Sequence, residues 1–115
     1  MPLTQFIARL NAEPTEIQFG ETMAVIDAVY DFTPTDFANG AVENLAGTNN
    51  GSCKILAFGQ LHGLNKEQTL SCFGDYYRID VLGNPSGDDH ANIRNFILHG
   101  WEKVSFKGQP LVEKR

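Results

Sequence analysis

"TPTDFANGAVENL", Thr33 to Leu45, is the stretch on which the fold class turns. Asn39-Gly40 stands at its centre, between "TPTDF" and "AVENL". Asn-Gly is the pair best suited to a two-residue type I′ turn, since both positions need positive φ. The stretch therefore predicts a β-hairpin, and everything around it reads as helix. Upstream, Phe19 to Tyr30 has Gly20 at its boundary, Glu21 in its first turn, and Met23, Ile26, Val29 and Tyr30 facing inward. Its middle, "MAVIDAVYDF", also permits a strand start, because a short apolar run does not settle the period. Before it, Thr4 to Ala12 forms a first helix, with Thr4 as its cap, Phe6, Ile7 and Leu10 as its apolar stripe, and Pro14 as its stop.

Downstream, "GTNNGSCKILAF" (Gly47 to Phe58) leads into a helix from about Ser52 to His62, closed by Gly63 as a left-handed cap. Asn65 and Gln68 form a capping box, and the helix it opens is predicted to reach Leu82. Leu70, Phe73, Tyr77 and Val81 fall in one arc at 100° per residue and make its core face. Gly74 inside it weakens the helix by up to ~1 kcal/mol against Ala and marks a kink or a close backbone approach. Asp88 caps a last helix to about His99, with Ile93, Phe96 and Ile97 inward and Gly100 as the stop. Trp101 to Phe106 reads as a short edge strand or extended segment. The expected organisation is a helix-dominated α+β domain over residues 1–107 with a small antiparallel sheet, and a frayed tail over 108–115.

Composition excludes several functions. The chain has 115 residues, nine Lys plus Arg against fourteen acids, and a net charge of −5. Nucleic acids and anionic membranes reward basic patches, so neither is expected as a partner. No apolar run approaches the ~18 residues of a membrane span, and residues 1–30 lack a basic region followed by an apolar one, so no secretory signal is expected. Cys53 and Cys72 do not make a disulfide framework, and two reduced thiols in a cytosol are the expectation.

The candidate chemistry is sparse. Gly47 and Gly51 are followed by Ser-Cys-Lys rather than the Gly-Lys-Ser/Thr order of a phosphate loop. Cys53 sits in the first turn of a predicted helix, where the dipole and free N–H groups favour a thiolate, and His62, His90 or His99 is a candidate base. His90 is the preferred partner. Against this, Cys53, Ala57 and Leu61 form one stripe of an almost wholly apolar helix, the setting of a small buried hydrophobe. Asn50 or Ser52 is read as the cap of that helix. "DDH", Asp88 to His90, suggests a metal site or a carboxylate–imidazole pair, yet acids at a helix start are ordinary caps. The histidines also lack the i, i+4 spacing of a helical zinc site. No metal and no cofactor is expected. Cys72, Tyr76 and Ile79 form a second stripe opposite the core face, either covered or exposed as a patch with Arg78 beside it. Aromatic residues with Arg are typical of binding hot spots.

Four segments in order, "TMAVIDAVYDFTPTDFANG" (22–40), "AGTNNGSCKILAFGQLHGL" (46–64), "CFGDYYRIDVL" (72–82) and "DDHANIRNFILHGW" (88–101), resemble the bacterial HopJ type III effector family. The resemblance runs from about Leu3 to Phe106. It implies a Gram-negative bacterial protein made in the cytoplasm and delivered by type III secretion into eukaryotic host cells. The implied partners are a host protein and the secretion apparatus or its chaperone. It brings no catalytic motif. Leu3 and the lack of any acid before Glu13 resemble type III export signals, although a short amphipathic helix often lacks acids as well. The alternative is a housekeeping enzyme or ligand binder using Cys53 with His90.

Overall fold

The computed structural model describes residues 2–114. In chain order the elements are α1 (Leu3–Ala12), a 3₁₀ turn at Pro14–Glu16, α2 (Phe19–Val29), β1 (Tyr30–Phe32), β2 (Phe37–Asn39), β3 (Val42–Asn44), α3 (Asn50–Leu61) and α4 (Lys66–Ser71). A π-helical segment, Tyr76–Val81, comes next. It is followed by α5 (Ala91–His99), a 3₁₀ turn at Gly100–Lys103, β4 (Val104–Phe106) and β5 (Leu111–Glu113). The class is α+β, as the sequence predicts.

Helix α3 is the centre of the molecule. Cys53, Ile55, Leu56, Ala57, Phe58 and Gly59 are all buried, so it is apolar around most of its circumference. Phe6 and Leu10 of α1, Val25 and Ile26 of α2, Leu70 of α4, and Ile93 and Phe96 of α5 complete the core. Gly59 lets α4 and Trp101 approach: a Cβ there would lie 2.8 Å from Thr69 Oγ1 and 3.0 Å from the indole. The Trp101 indole N–H, in turn, donates to the Leu64 carbonyl at 2.9 Å.

The hairpin forms one residue later than the turn chemistry suggests. Asn39 pairs with Val42, so the loop is Gly40-Ala41. Gly40 has φ +62 while Ala41 is not among the positive-φ residues, the pattern of a type II′ rather than a type I′ turn. Asn39 is thereby freed from the turn and buried in the core. β4 pairs with the other edge of β2, giving the sheet order β3-β2-β4.

Three further expectations are corrected. The helix predicted from Asn65 to Leu82 breaks after Ser71. Gly74 takes φ +63, and a Cβ on it would lie 2.6 Å from the Phe19 backbone nitrogen, so the start of α2 presses directly onto the break. Beyond it the chain winds more loosely, with Leu82 N–H donating to the Tyr77 carbonyl at 3.0 Å. Second, the tail expected to fray over 108–115 (Arg115 lies outside the described residues) supplies β5. Leu111 pairs with Phe32 and Glu113 with Tyr30, and Leu111 is buried. β5 satisfies backbone groups of β1 that would otherwise be an open edge.

Third, the expected caps lie elsewhere. α1 starts at Leu3 with Pro2 at its cap position rather than Thr4. α3 starts at Asn50, so Asn50 and Ser52 lie within its first turn and Asn49, at φ 52, holds the cap position. α5 starts at Ala91 with His90 at the cap position, at φ 50, rather than Asp88. The Asn65–Gln68 capping box forms as predicted, with Gln68 N–H donating to Asn65 Oδ1 at 2.8 Å and Asn65 N–H to Gln68 Oε1 at 2.9 Å.

Candidate functional site

Cys53 occupies the first-turn region of α3, and its N–H closes the turn onto the Asn49 carbonyl at 3.0 Å. Its side chain nevertheless points into the core and is 1% exposed. Burial pushes the thiol up to about 11, the reverse of an activated thiolate. Cys72 is equally sealed and burial pushes it up to about 12. Lys54, next in sequence to Cys53, turns away to Asp27 at 2.8 Å and lies 5.0 Å over the Phe32 ring. No imidazole hydrogen-bonds either sulfur among the described residues. His62 Nε2 instead meets the Tyr30 hydroxyl at 2.7 Å, and burial holds its pKa below the usual histidine range.

His90 faces a different group. Its Nε2 lies 3.1 Å from Asp80 Oδ2, and its ring lies 5.3 Å from that of Tyr76. The left-handed backbone at His90 aims the imidazole back across the start of α5 toward the π-helical segment. A carboxylate–imidazole pair therefore exists, with Asp80, outside the DDH motif, as the nearer partner and Asp89 Oδ2 3.9 Å from the same nitrogen. Ser52 shares a cleft of about 220 Å³ with His90, Asn49 and Asn92, but Ser52 and His90 make no hydrogen bond among the described residues. Nothing in this arrangement assembles a nucleophile with its base. The described residues also hold no cluster of His, Cys, Asp or Glu able to ligate a metal ion.

Beneath that cleft lies an amide network that the sequence does not announce. Asn39 Nδ2 donates to the Asn92 carbonyl at 2.7 Å and to Asn92 Oδ1 at 3.1 Å, and Asn49 Nδ2 donates to Asn44 Oδ1 at 2.8 Å. Asn39, Asn44 and Asn92 are all buried. They tie the hairpin to α5 and to the cap of α3, which is a structural role.

The second apolar stripe is neither wholly covered nor wholly exposed. Because the helix breaks at Gly74, Cys72 turns into the core while Tyr76 is 44% and Ile79 62% exposed. Tyr76 packs edge-on against Phe19 with ring centroids 5.0 Å apart. Phe19 lies over Gly51, where a Cβ would come within 2.8 Å of its ring. Arg78 is not part of the open surface. Its guanidinium donates to the Pro14 carbonyl at 3.1 Å and to the Ile17 carbonyl, bracing the 3₁₀ turn. The exposed neighbours of Tyr76 are instead acidic: Asp75 precedes it and Asp80 lies on the same segment. Sequence reasoning missed Phe19, which reaches Tyr76 from α2 through the tertiary fold, and passed over Asp75 and Asp80, which flank Tyr76 on its own segment.

The site is thus an aromatic, acid-rimmed surface on a small α+β domain in which both thiols are sealed. The chain belongs to the HopJ type III effector protein family, whose match extends over residues 3–111. Among solved structures it is similar to VPA0580, a crystal structure of a protein of unknown function. The two are 54% identical with a TM-score of 0.98, over 99% of this chain and 95% of that one. No functionally curated protein matches the chain.

Proposed function

We propose that the protein is a type III secretion effector of a Gram-negative bacterium, held in the bacterial cytoplasm until its delivery into eukaryotic host cells. There it works by contact with a host protein, and before export it meets the secretion apparatus or a chaperone. The observation that supports a contact mechanism is the exposure of Tyr76 and Ile79 on the one π-helical segment. Large apolar side chains grouped on a small domain mark a surface kept for a partner. The family membership supports the secretion half of the reading. A housekeeping enzyme using Cys53 and His90 is disfavoured by the burial of that thiol and by the engagement of His90 with Asp80. In the described residues no helix is long and apolar enough to cross a membrane.

The test is a translocation-reporter fusion assayed in host cells with a working and with a disabled secretion apparatus. Reporter signal that depends on the apparatus is the expected result. Equal signal, or none, in both strains removes the effector reading.

A further inference from the structure

The surface around Tyr76 is concave on one side. A groove of about 530 Å³ opens between the start of α2 and the π-helical segment, lined by Gln18, Phe19, Gly20, Asp75, Tyr76 and Asp80. That volume is within the range of sites that enclose a side chain or small ligand. Its apolar wall is the Phe19–Tyr76 pair. Its charged lining is carboxylate alone.

Neither carboxylate is fully engaged. Arg78 comes within 3.7 Å of Asp75 Oδ1, but its guanidinium is committed to the Pro14 and Ile17 carbonyls. His90 meets Asp80 through one oxygen only. Asp75 stays 55% and Asp80 43% exposed. The next cation along the surface, Arg94, is bound to Asp89 at 2.6 Å. The half-exposed Tyr76 ring, which Phe19 and His90 flank, and two incompletely paired carboxylates favour a cation and repel an anion.

We infer that this groove docks a lysine or arginine side chain, flanked by an aliphatic residue, on an exposed segment of a partner protein. The cationic head reaches Asp75 and Asp80 against the Phe19–Tyr76 wall, while the aliphatic neighbour covers Ile79, three residues further along the segment. A second copy of this chain fits poorly, because two molecules that each carry a net charge of −5 repel one another. The assignment rests on the reading that the protein acts through contacts, and it names the chemistry of the partner.

An immobilised heptapeptide library with every position varied, probed with the purified full-length protein, tests it. The best binders are then titrated calorimetrically against the wild type, Asp75→Asn, Asp80→Asn and Tyr76→Ala. The expected result is selection of Arg or Lys beside Leu or Ile, with each substitution weakening binding about tenfold, the scale of one lost desolvated cation contact. Selection of uncharged or acidic peptides, no selection at all, or cationic peptides that bind all variants equally overturns the proposal. So does a concentration-dependent dimer that Tyr76→Ala dissolves. Asp75 is 55% exposed and its ion pair with Arg78 is long at 3.7 Å, so Asp75→Asn decides the question if Tyr76→Ala disturbs the fold. Reporter translocation without groove binding removes this inference and leaves the effector reading standing. Groove binding without translocation does the reverse.

Discussion

Asn44 and Asn92 exchange a reciprocal pair of side-chain hydrogen bonds, Asn44 Nδ2 to Asn92 Oδ1 at 3.1 Å and Asn92 Nδ2 to Asn44 Oδ1 at 2.9 Å. The exchange joins β3 to α5 in a buried setting, where an unpaired amide is expensive. Asn92→Ala removes one partner each from Asn39 Nδ2, Asn44 Nδ2 and Asn44 Oδ1, while the Asn92 carbonyl, the Phe37 carbonyl and Asn49 Nδ2 remain as their other partners. Three side-chain hydrogen bonds are lost, each contributing ~0.5–1.5 kcal/mol net, so a loss of about 3 kcal/mol in urea unfolding is expected. Asn44→Ala combined with Asn92→Ala should cost clearly less than the sum of the single substitutions, because each alone already breaks the shared bonds. Strict additivity, or a loss below ~1 kcal/mol for Asn92→Ala, contradicts a coupled network, in which Asn39 Oδ1 alone is buried without a hydrogen bond among the described residues.

Gly74 and Gly20 make a matched pair of opposite sign. Gly74→Ala places a Cβ 2.6 Å from a backbone nitrogen at φ +63, so neither a rotamer change nor a small shift relieves it. Left-handed strain and the clash together are expected to destabilise the fold by on the order of 3 kcal/mol. Gly20→Ala, with nothing within 4 Å of its Cβ, should be neutral or gain up to ~0.5 kcal/mol from helix propensity. Comparison of the two thermal midpoints checks this. A mild Gly74→Ala would mean that the chain tolerates continuous helix there, and that the orientation of Tyr76 does not depend on the break.

What can be read in the sequence is what is local to it. The Asn65–Gln68 box, the buried faces of α3 and α5, and the hairpin between Phe37 and Asn44 each depend on residues a few positions apart. The break at Gly74 does not: it answers to the backbone of Phe19, which only the tertiary fold brings there. For the same reason Arg78 resembles a free hot-spot arginine in the sequence, while its partners are the carbonyls of Pro14 and Ile17. The glycine beside Asn39 points to a turn there, and the demand for a buried donor to Asn92 moves that turn by one residue. The candidate site is visible in the sequence through Tyr76 with Asp75 and Asp80 beside it on one segment, whereas the Phe19 side of the groove comes from α2 and only the tertiary fold brings it there.

The two thiols predict a pH dependence. Both are buried, and their pKa values rise from an ordinary 9.0 to about 11 for Cys53 and about 12 for Cys72. Above pH 9 the unfolded chain releases thiol protons that the folded chain retains, so stability is complete below that pH and falls as pH rises toward 11. Tyr30 and Tyr77, also raised by burial, add to the same decline. Cys53→Ala should flatten part of the slope while costing on the order of 1 kcal/mol at neutral pH for one lost buried sulfur. Alkylation follows the same logic. Although the sequence puts Cys72 on the more open stripe, both sulfurs should resist iodoacetamide in the native protein and react after denaturation. Rapid native-state modification of Cys53 near neutral pH would show an accessible thiolate and reopen the nucleophile reading.

Export and folding compete for α1. Phe6 and Leu10 are fully buried, and Arg9 pairs with Glu21 of α2, so the segment with the export-like composition is also part of the core. Burying side chains of that size contributes ~1.5–3 kcal/mol each, against a typical total of ~5–15 kcal/mol for a small domain. Deleting residues 1–12 is therefore expected to abolish cooperative thermal unfolding and translocation together. A second variant separates the two effects. Phe6→Ala keeps the N-terminal composition but is expected to cost about 3–5 kcal/mol. If α1 is read by the secretion apparatus as an unfolded segment, this variant should translocate at least as well as the wild type, because the domain opens more easily. Loss of translocation in Phe6→Ala, with normal protein levels in the bacterium, would mean that recognition requires the folded domain, and the export-signal reading of residues 1–12 would be wrong.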